Sequence, residues 1–363
     1  MALLAMLLMF VLMLAACSKD AETGKDDETT KVEDPKEEEK EEDVVATDDG
    51  PQKGGTITGA MYSAPTGMFN PIFYEEAYEA NILDFTHEGL FSQNANLEYE
   101  GNIAKDWSLN DDQTELTIKL EEGVKWHDGV EFTAHDVVFT YQTIADPDYV
   151  KAGGVRTSYA ASLKGYEAYN KGETDVYEGV VAEDDYTVVF YFAEPAVTPL
   201  YSANFTPIPK HIFENMSVLE IPESEESLQP GKVIGNGPFK FAEMIEREQY
   251  VLEGFADYWK GEPYLDKIVW KVVEQSIMTG LLEKGELDFL AKPSGIQPAD
   301  YEIVKDIADL TIIEQVDFGY QILGFKHNHR TTADVDGGII EPANWVPNKK
   351  ITPKSSTSHC LFY

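Results

Sequence analysis

The sequence predicts a mixed α/β protein, because strand and helix patterns alternate through one globular region. Apolar residues alternate with polar ones along residues 114–120, 186–192 and 267–274, which is typical of half-buried strands. Residues 222–231 (PESEESLQPG) carry no such pattern and are expected to form an exposed loop. The strand side chains expected to face the core are Leu116, Ile118, Leu120, Val188, Phe190, Phe192, Ile268, Trp270 and Val272.

Two helices are predicted from their caps and their apolar spacing. In residues 133–145, Thr133 is the expected N-cap, and Asp136 three residues later completes a capping box. A second helix is expected over about residues 276–284, ending at Gly285, which suits a left-handed C-terminal cap. The sequence shows no internal repeat, and the mixture of elements excludes a helical bundle or a β-sandwich.

The charge of the chain limits its partners. Its 363 residues carry a formal net charge of -38, and 43% are hydrophobic, so most of the chain can bury a core. Nucleic-acid phosphates attract Lys and Arg, so no nucleic-acid partner is expected. Binding to anionic lipid by charge alone is excluded for the same reason. The two distant cysteines, Cys17 and Cys360, do not make a disulfide framework.

Residues 1–16 are almost wholly apolar and are expected to be an export signal. Sixteen residues rise about 24 Å as a helix, short of the roughly 30 Å hydrocarbon core of a bilayer. The run ends in Leu14-Ala15-Ala16-Cys17, which is similar to a bacterial lipobox. Cys17 is therefore the expected lipidation site, and a short buried helix before a cysteine is the alternative.

An acidic segment follows the cysteine. Residues 18–52 hold 15 Asp and Glu against 5 Lys, with no aromatic residue. Such a segment buries too little apolar surface to offset its ordering entropy, and its charges repel one another. We expect residues 17–53 to be the lipidated cysteine and a disordered tether that leads to a globular domain.

No catalytic motif stands out. The sequence contains no HExxH, no GxSxG and no GxxxxGK[ST] phosphate loop. Structural or surface roles are expected for His127 and His135, while His327 and His329 lack a third partner for a metal ion. No catalytic residue, metal site or cofactor is therefore predicted.

Several segments occur in the order typical of a known family. The strongest spans residues 103–147 and reads Ala-x-x-Trp, Asp-x-x-Thr, an alternating strand, Gly-Val-Lys-Trp-His-Asp-Gly and Thr-Ala-x-Asp-Val-Val-Phe. Through these motifs the chain resembles the family 5 extracellular solute-binding proteins over about residues 54–329. The motifs are turns and caps, so they identify the fold and do not mark ligand contacts. Further matches lie at residues 54–57, 70–71, 88–90, 182–188, 208–212, 234–241, 257–268 and 284–288.

The resemblance implies a type II periplasmic-binding-protein fold whose two lobes close on a ligand. It also implies that an extended oligopeptide is held by backbone hydrogen bonds and delivered to the permease and ATPase subunits of an ABC importer. No covalent chemistry is expected. The protein would lie on the outer face of the bacterial cytoplasmic membrane, held by a lipid anchor at Cys17.

The expected ligand contacts are loop residues near the cleft edge of the first lobe. Arg156 is one of three arginines and suits a bidentate pair with a peptide carboxylate; an ordinary surface arginine is the alternative. The Gly-rich turn at residues 234–241 either approaches a ligand backbone or is a structural turn. Core packing is expected for Trp107, Trp126, Trp259 and Trp270. The candidate contacts are Asn70, Tyr149, Arg156, Tyr159, Gly237 and Phe239.

Residues 330–363 do not resemble the family and show no amphipathic period. We expect residues 54–329 to hold most of the first lobe and the second lobe to be mostly missing, through a frameshift or early stop near Arg330. A genuine short variant with its own C-terminal cap is the alternative. With half of the cleft wall missing, tight peptide binding is not expected.

Other function classes remain open. A binder of nickel, an oligosaccharide or a signalling peptide within the same family would share every motif. A lipid-anchored surface hydrolase would need a nucleophile or metal group that the sequence does not show. A sensor or interaction protein would keep the fold without adjacent permease and ATPase genes. The ligand present in protein purified from its native host would separate these classes.

Overall fold

Two β-sheets organise the part of the chain that the structure, a computed structural model, describes. That part comprises residues 52–290, 294–307 and 310–313, with the backbone of residues 328–330 and 345–347. The predicted export signal, Cys17 and nearly all of the acidic tether lie outside the described residues. Most of the tail at residues 330–363 lies outside them as well.

The elements are short and follow one another closely along the chain. The strands are β1 (Thr56–Met61), β2 (Phe91–Gln93), β3 (Tyr99–Gly101), β4 (Ala104–Leu109), β5 (Glu115–Leu120), β6 (Val180–Asp184), β7 (Thr187–Tyr191), β8 (Phe239–Ile245), β9 (Gln249–Gly254), β10 (Lys267–Val272), β11 (Phe289–Leu290), β12 (Asn328–Arg330) and β13 (Trp345–Pro347). The helices are α1 (Ala77–Thr86), α2 (Ala134–Ala145), α3 (Ser158–Ala161), α4 (Tyr166–Asn170), α5 (Pro199–Ala203), α6 (Lys210–Phe213), α7 (Glu225–Leu228), α8 (Gln275–Glu283) and α9 (Tyr301–Val304).

One sheet has four antiparallel strands in the order β4-β5-β7-β6. Ile118 of β5 lies opposite Val188 of β7, and both side chains are fully buried, so the predicted inward faces are confirmed. Strand β7 is buried on both faces, because Val189 is also only 1% exposed. The sequence predicts a half-buried strand there, and alternation along a strand does not show whether its second face is also covered.

Helix α2 packs on this sheet and carries the predicted capping box. The Thr133 N–H donates to Asp136 Oδ2 at 2.9 Å. The second carboxylate oxygen of Asp136 accepts a hydrogen bond from the Lys210 N–H, also at 2.9 Å. Burial raises the pKa of Asp136, and these two N–H donors oppose that shift. The cap of α2 therefore also fixes the start of α6, which belongs to a separate motif in the sequence.

The other sheet has five strands in the order β11-β1-β10-β9-β8. Strand β1 runs parallel to both of its neighbours, whereas β8, β9 and β10 form an antiparallel run. Ile268 and Trp270 of β10 are buried as predicted, and Val272 at the strand end is half-buried. Parallel strands bring their carboxyl ends to one edge, which is where open α/β sheets bind ligands. The loop that follows β1 leaves the sheet at this edge.

Helix α8 covers part of the five-stranded sheet. Its buried Met278 and Leu282 pack with Ala60 of β1. The helix is followed by Gly285 with a φ of 68°, in the left-handed region that favours glycine. The predicted C-terminal cap is thus present.

The prediction of an exposed loop at residues 222–231 is wrong. A 3-10 turn at Ile221–Glu223 and helix α7 occupy most of this segment, and Ser227 is fully buried. The Ser227 hydroxyl accepts a hydrogen bond from the Asn70 side-chain amide at 2.9 Å. A polar segment can be buried when its polar atoms find partners inside the protein, and a local sequence pattern does not reveal such partners.

Two of the four tryptophans expected in the core are fully buried, namely Trp126 and Trp270. Trp107 and Trp259 are partly buried and pack against the margin of the larger core cluster. Strands β12 and β13 pair antiparallel, with His329 opposite Val346.

Among the described residues, no helix is long and apolar enough to cross a bilayer. Helix α2, the longest of them, has 12 residues, whereas a membrane-spanning helix needs about 20.

Candidate functional site

Arg156 lies at a partly exposed position in the loop between α2 and α3. Its Nη2 donates to the backbone oxygen of Tyr74 at 2.9 Å. The guanidinium carbon also lies 4.8 Å from the centroid of the Tyr74 ring, a cation–π contact. No carboxylate among the described residues pairs with this guanidinium, so most of its N–H donors remain available.

Tyr159, the next candidate contact, belongs to an aromatic surface beside Arg156. Its ring stacks on Tyr201 with centroids 5.1 Å apart and an interplanar angle of 24°. It also packs on Phe205, with centroids 4.6 Å apart. Burial and the hydrogen bond with Tyr201 raise the pKa of Tyr159, while the charge of Arg156 opposes the shift. Tyr201 is 47% exposed, so the stacked pair has an open side.

Tyr149 does not face solvent as the predicted loop contact would. Its side chain is fully buried, and its hydroxyl donates to the backbone oxygen of Ile72. The same hydroxyl accepts from the Arg156 N–H at 3.3 Å. Burial raises the pKa of Tyr149 to about 12, so it remains protonated and able to donate. In this structure Tyr149 positions the backbone of Arg156.

Asn70 is also an internal residue and not part of an exposed cleft edge. It is 1% exposed, and its side-chain amide donates to Ser227 Oγ at 2.9 Å. Its side-chain oxygen accepts from the Ile72 N–H at 3.1 Å. Its backbone oxygen accepts from the Tyr74 N–H at 3.0 Å. Asn70 therefore fixes the loop that presents Tyr74 to Arg156.

Gly237 and Phe239 lie in a turn packed against the end of α1. The Gly237 N–H donates to the Thr86 backbone oxygen at 2.9 Å. A Cβ atom on Gly237 would lie 2.7 Å from the Phe85 backbone oxygen, so only glycine fits this approach. Phe239 is 6% exposed and packs on the Phe85 ring. Of the two interpretations left open by the sequence, the structural turn describes this geometry.

The imidazole of His127 makes two hydrogen bonds to the backbone of the same turn. Its Nδ1 accepts from the Gly235 N–H at 3.1 Å, and its Nε2 donates to the Gly237 backbone oxygen at 3.0 Å. Only a neutral imidazole makes both bonds. Burial lowers the pKa of His127 to about 4, and burial with the charge of His127 lowers that of His87 to about 3. Within the described part of the chain, no group of three or more His, Cys, Asp or Glu could hold a metal ion.

A cleft of about 570 Å³, which no sequence pattern predicted, lies at the carboxyl end of β1. Residues 63–67, residues 228–229 and the β8–β9 hairpin line it, together with Tyr250. The one residue in the sequence that could have pointed to this cleft is Arg247. It lies in the cleft wall and is the second of the three arginines. Arg247 also makes no ion pair with a described residue.

Glu79 of α1 holds one wall of this cleft. It is fully buried, and its Oε1 accepts from the Thr66 hydroxyl at 2.7 Å, from the Thr66 N–H and from the Gly67 N–H at 3.3 Å. A buried carboxylate that accepts several hydrogen bonds orders the groups that donate them. The first turn of α1 thus sets the conformation of residues 66–67.

The amino-acid sequence of this chain is similar to those of known solute-binding proteins. The profile of the bacterial extracellular solute-binding proteins, family 5 (middle region), matches residues 98–336, which extends past the predicted limit at residue 329. The chain is similar to the oligopeptide-binding protein AppA of Bacillus subtilis, with 29% identity over 285 residues, 78% of this chain and 48% of that protein.

Solved structures share the fold. AppA of Bacillus subtilis in complex with a nonapeptide has a TM-score of 0.62 and 28% identity, over 73% of this chain and 48% of that chain. The ABC transporter substrate-binding protein CtaP of Listeria monocytogenes has a TM-score of 0.57 and 30% identity, over 70% and 47% of the two chains. The predicted mixed α/β, type II periplasmic-binding-protein fold is confirmed. The chain spans about half the length of these relatives.

Proposed function

The chain belongs to the bacterial extracellular solute-binding proteins of family 5, and from that membership we propose that it captures extracellular oligopeptides for an ABC importer. AppA, an oligopeptide-binding protein, and CtaP, an ABC transporter substrate-binding protein, support the proposal. The partners would be a membrane permease and its ATPase. The protein would bind and release its ligand without chemical change, with no cofactor.

The observation that carries the proposal is the guanidinium of Arg156, which pairs with no described carboxylate and lies beside an open aromatic surface. The chain holds 66 Asp and Glu against 28 Lys and Arg, yet no described carboxylate pairs with Arg156. A peptide carboxylate would pair with its free N–H groups. An apolar or aromatic peptide side chain would pack on Tyr159 and Tyr201. Asn70 and Tyr149 would stabilise the folded loops beneath this surface without contacting the peptide.

We also propose that residues 54–329 form the first lobe of a two-lobed binding domain. In this arrangement the residues around Arg156 supply one wall of the cleft. A peptide held by this wall alone keeps water on its other side, so we expect the residues around Arg156 to contribute only weak affinity by themselves. The binding experiment is therefore to be run at peptide concentrations up to the millimolar range.

Anchoring through Cys17 completes the proposal, on the basis of the apolar run before it and the acidic segment after it. Growth of an expressing bacterium with labelled palmitate tests it. The wild-type protein is expected to carry label and to sediment with membranes, and Cys17→Ala is expected to lose both properties. Label retained by Cys17→Ala would contradict a lipid at this cysteine.

Calorimetry with a mixture of short peptides tests peptide capture directly. Wild-type protein is expected to bind, and Arg156→Gln to bind about tenfold more weakly, because a charge-assisted pair is lost. Lys164→Gln is the matched control, since Lys164 is an exposed surface lysine paired with Glu178 at 2.9 Å. Its affinity is expected to match the wild type. Absence of binding by the wild type, or unchanged affinity in Arg156→Gln, would contradict the proposal.

A further inference from the structure

We propose that the cleft at the carboxyl end of β1 is a second subsite, in which Arg247 binds a carboxylate carried by the peptide ligand. The subsite rests on the proposed function, because it adds a preference for acidic peptides to peptide capture. Four features of the cleft support it. They are the left-handed backbone at Arg247, the lack of an ion pair between Arg247 and any described residue, the neighbouring polar groups and the size of the cleft.

The fold holds Arg247 in a conformation that arginine rarely adopts. Arg247 lies in the tight turn between β8 and β9, where the Glu248 N–H donates to the Ile245 backbone oxygen at 2.9 Å. Its φ is 63°, in the left-handed region. That region is strained for a residue with a Cβ, and strain of this kind concentrates at functional positions. A glycine would fit the turn without strain, so the turn itself does not require an arginine.

The guanidinium of Arg247 has no carboxylate partner among the described residues. Several exposed lysines of the same chain pair with carboxylates, as in Lys164–Glu178 and Lys171–Glu167. Glu246 precedes Arg247 in the turn and lines the same cleft, yet the two side chains do not pair. In a chain with a net charge of -38, this leaves a cation in the cleft wall available to a ligand.

Other groups in the cleft complement the guanidinium. The Tyr250 hydroxyl accepts from the Arg247 N–H at 3.4 Å, and its own proton has no acceptor among the described residues. Ser63 opens the loop after β1 and lines the same space, with a hydroxyl group that can also donate. The buried Glu79 directs its Oε1 to donors on Thr66 and Gly67. A carboxylate in the cleft would thus meet the Arg247 guanidinium and the Ser63 hydroxyl, while Tyr250, which is only 1% exposed, holds the Arg247 backbone through its hydroxyl.

The cleft is open and large enough for such a group. Its volume of about 570 Å³ exceeds that of any single amino-acid side chain, and it opens at the edge of the sheet where the parallel strands end. A glutamate side chain or the carboxyl terminus of a peptide fits this description. A carboxylate and a guanidinium pair through two parallel hydrogen bonds, which favours arginine over lysine at the site.

Peptides that differ only by Glu and Gln at one position test the subsite by calorimetry. Wild-type protein is expected to bind the Glu peptide about fivefold more tightly. Arg247→Gly removes the guanidinium and relieves the left-handed backbone, so it is expected to fold at least as stably and to lose the preference. Arg247→Lys is expected to keep part of the preference, and the control Lys164→Gln to keep all of it. Equal affinities for the wild type would overturn the subsite and leave peptide capture intact.

A third peptide, with Lys at the same position, tests the opposite charge. Tighter binding of the Lys peptide than of the Glu peptide would assign the cleft to Glu246 and overturn the proposal. The expected order of affinity is Glu, then Gln, then Lys.

A small-molecule probe separates this inference from peptide capture. The Arg247 Nε–Hε resonance, identified by its loss in Arg247→Gly, is followed in nitrogen-15 spectra during titration with glutarate or its neutral analogue glutaramide. A saturable shift with glutarate and none with glutaramide supports the subsite, even for a chain that binds no peptide. The same small shift with both compounds overturns it, even for a chain that binds peptides well.

Discussion

The carboxylate of Glu88 accepts a hydrogen bond from the indole nitrogen of Trp259 at 2.9 Å, across 171 residues of sequence. Its other oxygen accepts from the Tyr258 hydroxyl at 2.6 Å. Lys260 approaches the same carboxylate at 3.4 Å and lies over the Trp259 ring. Glu88 follows α1, whereas Trp259 follows β9, so one carboxylate joins two motifs that the sequence shows as unrelated.

Loss of the Glu88 carboxylate is expected to destabilise the fold. Glu88→Ala leaves the Tyr258 hydroxyl and the Trp259 N–H without their acceptor in a largely desolvated place, at a cost of about 2–3 kcal/mol. Urea unfolding, followed by tryptophan fluorescence, measures the change. Glu178→Ala removes an exposed carboxylate with one lysine partner and is expected to cost under about 1 kcal/mol. Equal effects of the two substitutions would show that Glu88 has no special role.

Stability is expected to fall between neutral and acidic pH because of His127. Its pKa is about 4 in the folded protein against an ordinary value of 6.5, so the unfolded chain binds more protons between these values. The contribution of neutral His127 is complete above about pH 6.5 and declines toward pH 4, by up to about 1.4 kcal/mol per pH unit. His87, with a pKa lowered to about 3, acts with the same sign.

The measurement is urea unfolding at several pH values for the wild type and for His127→Gln. Gln can accept from Gly235 and donate to Gly237 but does not titrate, so a shallower slope is expected between pH 6.5 and pH 4. The comparison is needed because the Asp136 carboxyl, whose pKa burial raises, contributes with the opposite sign. Identical slopes in the two proteins would rule out His127 as the source.

Asn70 is expected to affect stability and not the intrinsic affinity for a ligand. Asn70→Ala leaves the Ile72 N–H without its side-chain acceptor and leaves the Ser227 hydroxyl with only the Ser224 hydroxyl, at a cost of about 2 kcal/mol. Asn96→Ala is the control, since Asn96 is exposed and its change is expected to be within about 0.5 kcal/mol. Calorimetry under conditions where both variants are folded should give wild-type affinity. A selective loss of affinity in Asn70→Ala would restore Asn70 as a ligand contact.

Local signals in the sequence predicted much of the scaffold. Alternation revealed β5 and β10, and the capping box of α2 and the left-handed Gly285 are present where their residue types indicated. These features succeed because each depends on contacts within a few residues of one another. The full burial of strand β7 and of Ser227 within residues 222–231 was not predicted, because burial depends on contacts with residues far away in sequence.

The candidate ligand contacts show the same limit more clearly. Arg156 and Tyr159 lie together on a partly open surface. Asn70 and Tyr149 are buried instead. Local patterns could not reveal this, because their hydrogen-bond partners Ser227 and Ile72 lie 157 and 77 residues away in sequence.

The sequence by itself determined the fold class, the order of its motifs and the caps and turns within them, because short-range periodicity and backbone preferences encode these. Only the tertiary structure decided which polar residues join distant segments through internal hydrogen bonds and which stay available to a ligand. Glu88 and Asn70 make such internal hydrogen bonds, while no described carboxylate pairs with the guanidinium groups of Arg156 and Arg247. The physical reason is that a polar group is buried only where distant segments bring it a partner, and such pairings exist only once the chain has folded.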